Sequence, residues 1–102
     1  MGWYDALMQL HYDEVTKQRL RAWQRDDQVL FRATEAQLRR IEASPHQHGV
    51  DGTPPVPRLV SYSVPGRDDE FVITWDVAGS RVGIISISSS AELEARAQLR
   101  RR

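Results

Sequence analysis

The sequence predicts an α+β domain of two layers: an antiparallel sheet, in the order β-α-α-β-β-β, covered on one face by a helical hairpin and followed by a short C-terminal helix. Three observations predict it. From Glu70 to Ser88 the chain reads "EFVITWDVAGSRVGIISIS", two runs of β-branched and aromatic residues around Ala78-Gly79-Ser80, which is the pattern of a hairpin with a glycine-bearing turn. In its first run Phe71, Ile73, Trp75 and Val77 share one apolar face, which needs a covering layer. Upstream, two segments with helical apolar spacing supply that layer.

Taken in order, "ALMQLHY" (Ala6 to Tyr12) reads as the first strand, with Leu10 and Tyr12 on one side. Asp13 is placed to cap a first helix, "EVTKQRLRAWQ", which brings Val15, Leu20 and Trp23 to one face. "RDD" interrupts the run. Asp26 or Asp27 then caps a second helix, "QVLFRATEAQLRRIEA", because a carboxylate accepts from free N–H groups and suits the positive end of the helix dipole. Leu30, Phe31, Thr34, Leu38 and Ile41 form its inner stripe; Arg32, Glu35, Arg39 and Glu42 lie outside, Glu35 and Arg39 as an i,i+4 pair. Pro45 ends the helix.

"SPHQHGVDGTPPVP" follows as a stiff loop, too rich in proline and glycine for regular structure. In "RLVSYSV", Val60, Tyr62 and Val64 alternate with Leu59, Ser61 and Ser63, and "PGRDDE" is a turn. Along the last strand the alternation slips: Val82 and Ile84 have even parity, Ile85 and Ile87 odd, as a bulge or burial on both faces requires. "SSSAELEARAQLRRR" closes the chain as a dipole-matched helix, with serine at its cap, Glu92 or Glu94 in its first turn and arginine at its end. Trp23 and Trp75 fall on faces expected to be buried, and Trp3 precedes the first strand.

Length admits one domain, residues 1–102, since two independent cores would not fit in 102 residues. No apolar run approaches the roughly 20 residues that span a bilayer. "MGWYDALMQLHYDEV" lacks the pattern of a signal peptide, so the expected compartment is the cytoplasm. With no cysteine there is neither a disulfide framework nor thiolate chemistry. The formal net charge is +0, from 14 basic and 14 acidic side chains, whereas binders of phosphate backbones carry an excess of Lys and Arg. Lys17 is the only lysine; arginine suits bidentate phosphate contacts, and a GC-rich coding bias produces the same preference.

From "LMQLHYDEVTKQRLRAW" through "LFRATEAQLRRIEASPHQHG" to "RLVSYSV…EFVITWDVAGSRVGIISI", about residues 8–88, the order and spacing of elements resemble the RelE/ParE toxin superfamily of bacterial type II toxin–antitoxin systems. The resemblance implies one of two activities. RelE-type members are ribosome-dependent mRNA endonucleases that work without a metal. They use basic side chains on the free sheet face and an aromatic or histidine near the end of the last strand, which orient a 2′-hydroxyl, stabilise a phosphorane and protonate the leaving oxygen. ParE-type members act on DNA gyrase instead. Here the nuclease pattern fails position by position: Phe71 stands where the family often has arginine, Ser61 and Ser63 where arginines often alternate, and Ser88, Ser89 and Ser90 where a histidine or tyrosine often ends the strand. A divergent member is expected, a toxin-like component acting by macromolecular binding with a degenerate or absent ribonuclease site. The implied partner is a cognate antitoxin, with ribosome-bound mRNA or DNA gyrase as target and no membrane; a homodimer is open.

Two alternatives stand beside it: an mRNA endonuclease with a rearranged His/Arg site, and a small interaction domain with no toxin role. For the endonuclease the candidate catalytic residues are His46, His48, Arg58 and Arg67, because an imidazole titrates near neutral pH and serves as general acid or base. The simpler reading of the same histidines is two solvent-exposed loop residues. Candidate RNA-binding residues are Arg39, Arg40, Arg58 and Arg81, although Arg67 and Arg81 fall at turns and Arg39 has Glu35 as a partner. A metal needs more ligands than His46 and His48, with His11 remote in sequence, so neither metal nor cofactor is expected.

Overall fold

The computed structural model describes residues 10–51, 57–79 and 81–100. Its elements are β1 (Leu10–Tyr12), α1 (Glu14–Asp26), α2 (Gln28–Ala43), β2 (Val50–Asp51), β3 (Arg58–Ser63), β4 (Glu70–Ala78), β5 (Arg81–Ser89) and α3 (Ser90–Arg100). The architecture is α+β, with a five-stranded sheet in the order β1-β5-β4-β3-β2. Residues 6–9 of the expected first strand, Trp3 and the last two arginines lie outside the described residues. No described helix is long and apolar enough to cross a membrane.

Short-range chemistry starts each helix. Asp13 Oδ1 accepts from the Thr16 N–H at 2.7 Å, and the backbone and hydroxyl donors of Thr16 hold the Asp13 carboxyl below its usual 3.8. Asp27, rather than Asp26, caps α2 by accepting from the Leu30 N–H at 3.4 Å. Ser89 caps α3: the Glu92 N–H donates to Ser89 Oγ at 3.1 Å, and that hydroxyl donates on to the Glu92 carboxylate at 3.4 Å. All five residues of the expected α2 stripe are buried. On α1 the expectation is corrected. Leu20 is buried with Thr16, one turn before it, while Val15 lies about 100° further round the helix and is 67% exposed.

The sheet is mixed, which corrects the expected antiparallel one. β1 runs parallel to β5, pairing Leu10, His11 and Tyr12 with Val82, Gly83 and Ile84. The cause is β2, a strand inside the segment expected to hold no regular structure. Val50 and Asp51 pair antiparallel with Leu59 and Arg58. If each element reverses the direction of the chain, two helices followed by three strands bring the last strand back antiparallel to the first. The extra reversal at β2 makes them parallel.

Between β4 and β5, Ala78 pairs with Arg81 around a turn in which Gly79 has φ 63°, a left-handed conformation natural to glycine. Thr74 pairs with Ser86 but Trp75 with Ile84, so Ile85 is the extra residue of a bulge. That bulge is the slip in parity: it returns Ile87 to the face of Ile84 and turns Ile85 outward, 47% exposed. Under the helices the core gathers Leu20, Leu30, Leu38, Ile41, Ile73 and Trp75 with their neighbours. Trp23 meets Phe71 edge-on at 5.9 Å, and Phe71 lies 6.1 Å from Tyr62.

The opposite face of the sheet is the more exposed one, except at Ser88, which is buried. By register and alternation it presents Ser61 and Ser63 of β3, Val72, Thr74 and Asp76 of β4, and Ser86 and Ser88 of β5. Near its edge α3 packs against the ends of β4 and β5.

Candidate functional site

The loop after α2 assembles the chemistry-bearing side chains closest together. Ser44 ends the helix by donating its N–H to the Arg40 carbonyl at 3.0 Å, and the N–H groups of Gln47 and His48 then turn back to the Ser44 carbonyl at 3.1 and 2.9 Å. This turn lays the His48 ring over the buried Trp75, with centroids 6.3 Å apart and planes inclined by 24°. Trp75 in turn donates its indole N–H to the Pro45 carbonyl at 3.0 Å. Gly49 follows with φ 72°; a Cβ there would overlap the Leu59 carbonyl oxygen and come within 2.8 Å of Trp75 Cη2. Only glycine lets the backbone pass this close to the tryptophan.

His48 Nε2 meets Gln37 Oε1 at 2.9 Å, a bond in which the ring donates. Burial, and then the charges of Arg40 and Arg58, push the His48 pKa below 6.5, so the ring is held neutral. Arg58 is a clamp: its guanidinium donates to the His48 carbonyl at 2.8 and 3.2 Å, to the Gly49 carbonyl at 3.2 Å and to Asp51 at 2.6 Å. A planar fork with five donors reaches all three acceptors at once.

Of the expected catalytic residues, then, the structure brings His48 and Arg58 together, with Arg40 nearby, and leaves His46, two residues before His48, exposed. Arg67 is not part of the group. It donates to Asp27 at 2.6 Å, at the opposite end of α2, and 16 helical residues separate the two ends by roughly 24 Å. That pairing lowers the Asp27 carboxyl. Arg39 meets Glu35 at 3.8 Å, as its spacing predicts, and Arg81 is exposed beside the hairpin turn. Of the expected RNA-binding arginines, Arg40 and Arg58 both lie beside His48, Arg39 stands on the helix surface with Glu35 and Arg81 at the turn.

The more exposed sheet face is a surface of hydroxyls. Thr74 Oγ1 and Ser86 Oγ meet at 2.7 Å across its middle. Arg81 is the one arginine among the described strand residues of that face, against Glu70 and Asp76. The Asp76 carboxylate lies over Gly83, 2.7 Å from where a Cβ would stand. A recess of about 380 Å³ at the sheet's end is lined by Asp68, Asp69, Glu70 and Glu94 with Ser89 and Ser90, and its charge repels phosphate. A second, of about 190 Å³, brings Arg19 and Arg96 beside Ile85, Ser86 and Ser88. Sequence reasoning missed Arg19 and Arg96, which no local pattern singles out; only Ile85 was marked, by the slip in parity. Among the described residues, no three His, Asp or Glu side chains gather as a metal site requires.

No family model, no curated protein and no solved structure matches the chain.

Proposed function

We propose that the chain is a divergent toxin of the RelE/ParE type, the toxin component of a type II toxin–antitoxin pair, acting by gripping a macromolecular partner rather than by cleaving RNA. One observation carries the choice between these modes. The arginines that a metal-free nuclease would aim at the scissile phosphate are committed within the fold: Arg58 to loop carbonyls and Asp51, Arg67 to Asp27, Arg39 to Glu35. Cleavage needs cations and an acid–base pair converging on one phosphate. On the hydroxyl-lined face the described strands carry one arginine, Arg81, with His11 placed beside Gly83 by register, and no cluster of cations. The element order, a strand, two covering helices and a strand meander, supports the family reading. Its partner is a cognate antitoxin in the cytoplasm of the host, and its target one bound in the manner of ParE-type members.

Inducing the chain in a bacterial host, alone and with the short reading frame adjacent to its gene, tests this. The expected result is slowed growth, relief on co-expression, a complex that survives gel filtration, and no messenger-RNA cleavage by primer extension. A chain that neither slows growth nor captures the neighbouring product overturns it. The clustering of His48 with Arg40 and Arg58 favours the endonuclease as the second reading. Cleavage by the wild type that disappears in His48→Ala and Arg40→Ala would put the nuclease in its place.

A further inference from the structure

On one side the sheet ends at β3 for most of its length. β2 pairs only with Arg58 and Leu59, and from Val60 to Ser63 the outer edge of β3 has no ladder partner among the described residues. Nor does any hydrogen bond from their loops or side chains reach the main chain of that stretch. Natural sheets protect such edges with charged side chains, proline or a bulge. Between Arg58 and Pro65 this strand reads "LVSYSV", without a charge, and its register with β4 runs without a shift. Ser61 and Ser63 are exposed, while Tyr62 between them points into the core. The edge is open and undefended.

It also matches itself. Two identical strands pair antiparallel about a two-fold axis normal to the sheet, which keeps both helical layers on the same side. Alternation then requires exposed residues to meet exposed ones. An axis through Ser61 would set Ser63 against Leu59, which β2 already holds. An axis through Tyr62 sets Ser61 of each copy against Ser63 of the other, hydroxyl to hydroxyl. The same register carries Pro65 of each copy toward Leu59 of the other and so to Val50, which is 60% exposed. Charges at the two ends of β3 are opposite. In the turn after it, Arg67 is paired with Asp27, which leaves the carboxylates of Asp68 and Asp69. At the other end Arg58 is paired with Asp51, which leaves Arg40, close enough to act on His48. Antiparallel pairing brings the acidic turn of each copy to the arginine end of the other. A formal net charge of +0 sets no general repulsion between copies.

We infer that the outer edge of β3 pairs with the same edge of a second copy of this chain, joining two five-stranded sheets into one across Ser61, Tyr62 and Ser63. Main-chain bonds across the edge supply the attraction, and the contacts at its two ends fix the register. Three paired residues span only about 10 Å of edge. With the end contacts added, the interface belongs to the class below about 1,200 Å² that marks weak, reversible association. The dimer therefore gathers as concentration rises and comes apart on dilution. This inference does not depend on the toxin reading; it concerns how the chain meets itself, whatever else it binds.

Sedimentation velocity of the purified chain over a concentration series tests it. The expected result is a reversible monomer–dimer equilibrium, with amide chemical shifts that move with concentration at Ser61 to Ser63 and at Val50. Ser61→Lys with Ser63→Lys sets like charges opposite each other and should weaken dimerisation at least tenfold, as should Ser61→Glu with Ser63→Glu. Mixing the two double variants should restore a dimer of unlike chains, because each lysine then meets a glutamate. Both should keep the wild-type circular dichroism spectrum, since the two positions are exposed. A chain that stays monomeric throughout, a dimer indifferent to the double variants, or a mixture that fails to associate would overturn it. So would a monomer that takes an extended peptide of another protein on this edge. Failure of the growth and co-expression experiment with success here would remove the toxin reading alone.

Discussion

The hydroxyls of Thr34 on α2 and Tyr62 on β3 meet at 2.7 Å inside the core, joining the helical layer to the sheet. Thr34 also donates to the Leu30 carbonyl at 2.9 Å, so its proton is engaged and Tyr62 is the donor between the two. Burial pushes the Tyr62 pKa up to about 12. The pair predicts an asymmetry. Tyr62→Phe removes one hydrogen bond and strands nothing, at a cost of about 0.5–1.5 kcal/mol. Thr34→Val leaves the tyrosine hydroxyl buried without its acceptor, at about 1–3 kcal/mol. Urea unfolding should rank the variants in that order, and the double variant should cost less than the two added together.

Two glycines with similar backbone angles separate strain from collision. Gly49 and Gly66 have φ of 72° and 79°, but a Cβ at Gly66 meets nothing within 4 Å, whereas one at Gly49 strikes the Leu59 carbonyl and Trp75. Gly66→Ala should cost about 1–2 kcal/mol, the penalty of a left-handed residue. Gly49→Ala adds overpacking of about 1–3 kcal/mol and displaces the loop that carries His48. Thermal unfolding measures both. Equal effects would mean that the loop moves freely away from Trp75.

How far the sequence could be read follows the range of the forces involved. The stripe of α2, from Leu30 to Ile41, was legible because helical period and burial coincide there. Val15 misled because an apolar residue at the first turn satisfies hydropathy without satisfying geometry: Leu20 fixes the phase, and Thr16 takes the inward position. The parallel β1–β5 pairing rests on a two-residue strand, Val50–Asp51, in a loop whose prolines and glycines argue against any strand. Parity of chain direction is a global property that local patterns do not carry. Of the site, His48 and Arg58 were visible as chemical groups, but their use was not. The stack on Trp75 and the clamp on loop carbonyls arise from contacts between residues far apart in sequence.

Arg58 holds its loop by geometry as much as by charge. Its three acceptors, the His48 and Gly49 carbonyls and Asp51, surround one planar group that is largely buried. Lysine keeps the charge but is a point donor on a flexible stem, so Arg58→Lys should behave more like Arg58→Ala than like wild type. Both should lose about 1–3 kcal/mol. Amide exchange should quicken at residues 46–51 while the stripe of α2 stays protected. Full stability in the lysine variant would show that charge alone holds the loop.

His48 gives the fold a pH dependence of definite sign. Its neighbours from the packed elements are Gln37 and Arg40 of α2, Arg58 of β3 and Trp75 of β4; none of these is an anion, and the Asp51 carboxylate is taken by Arg58. Burial and the two arginines lower the folded pKa below the 6.5 of a free imidazole. Between those two values the unfolded chain binds more protons than the folded one, so stability rises with pH across that window. The contribution is fully present above about pH 6.5 and is lost as pH falls through the folded pKa. Asp13 and Asp27 do not blur it, because their carboxyls are lowered below 3.8 and titrate at more acid pH. Melting temperatures of the wild type should therefore fall between pH 7 and pH 5. Those of His48→Gln, which loses the stacked imidazole and starts lower, should stay nearly level across the same range. Parallel slopes in the two proteins would mean that the ring over Trp75 takes up a proton as readily in the fold as in water.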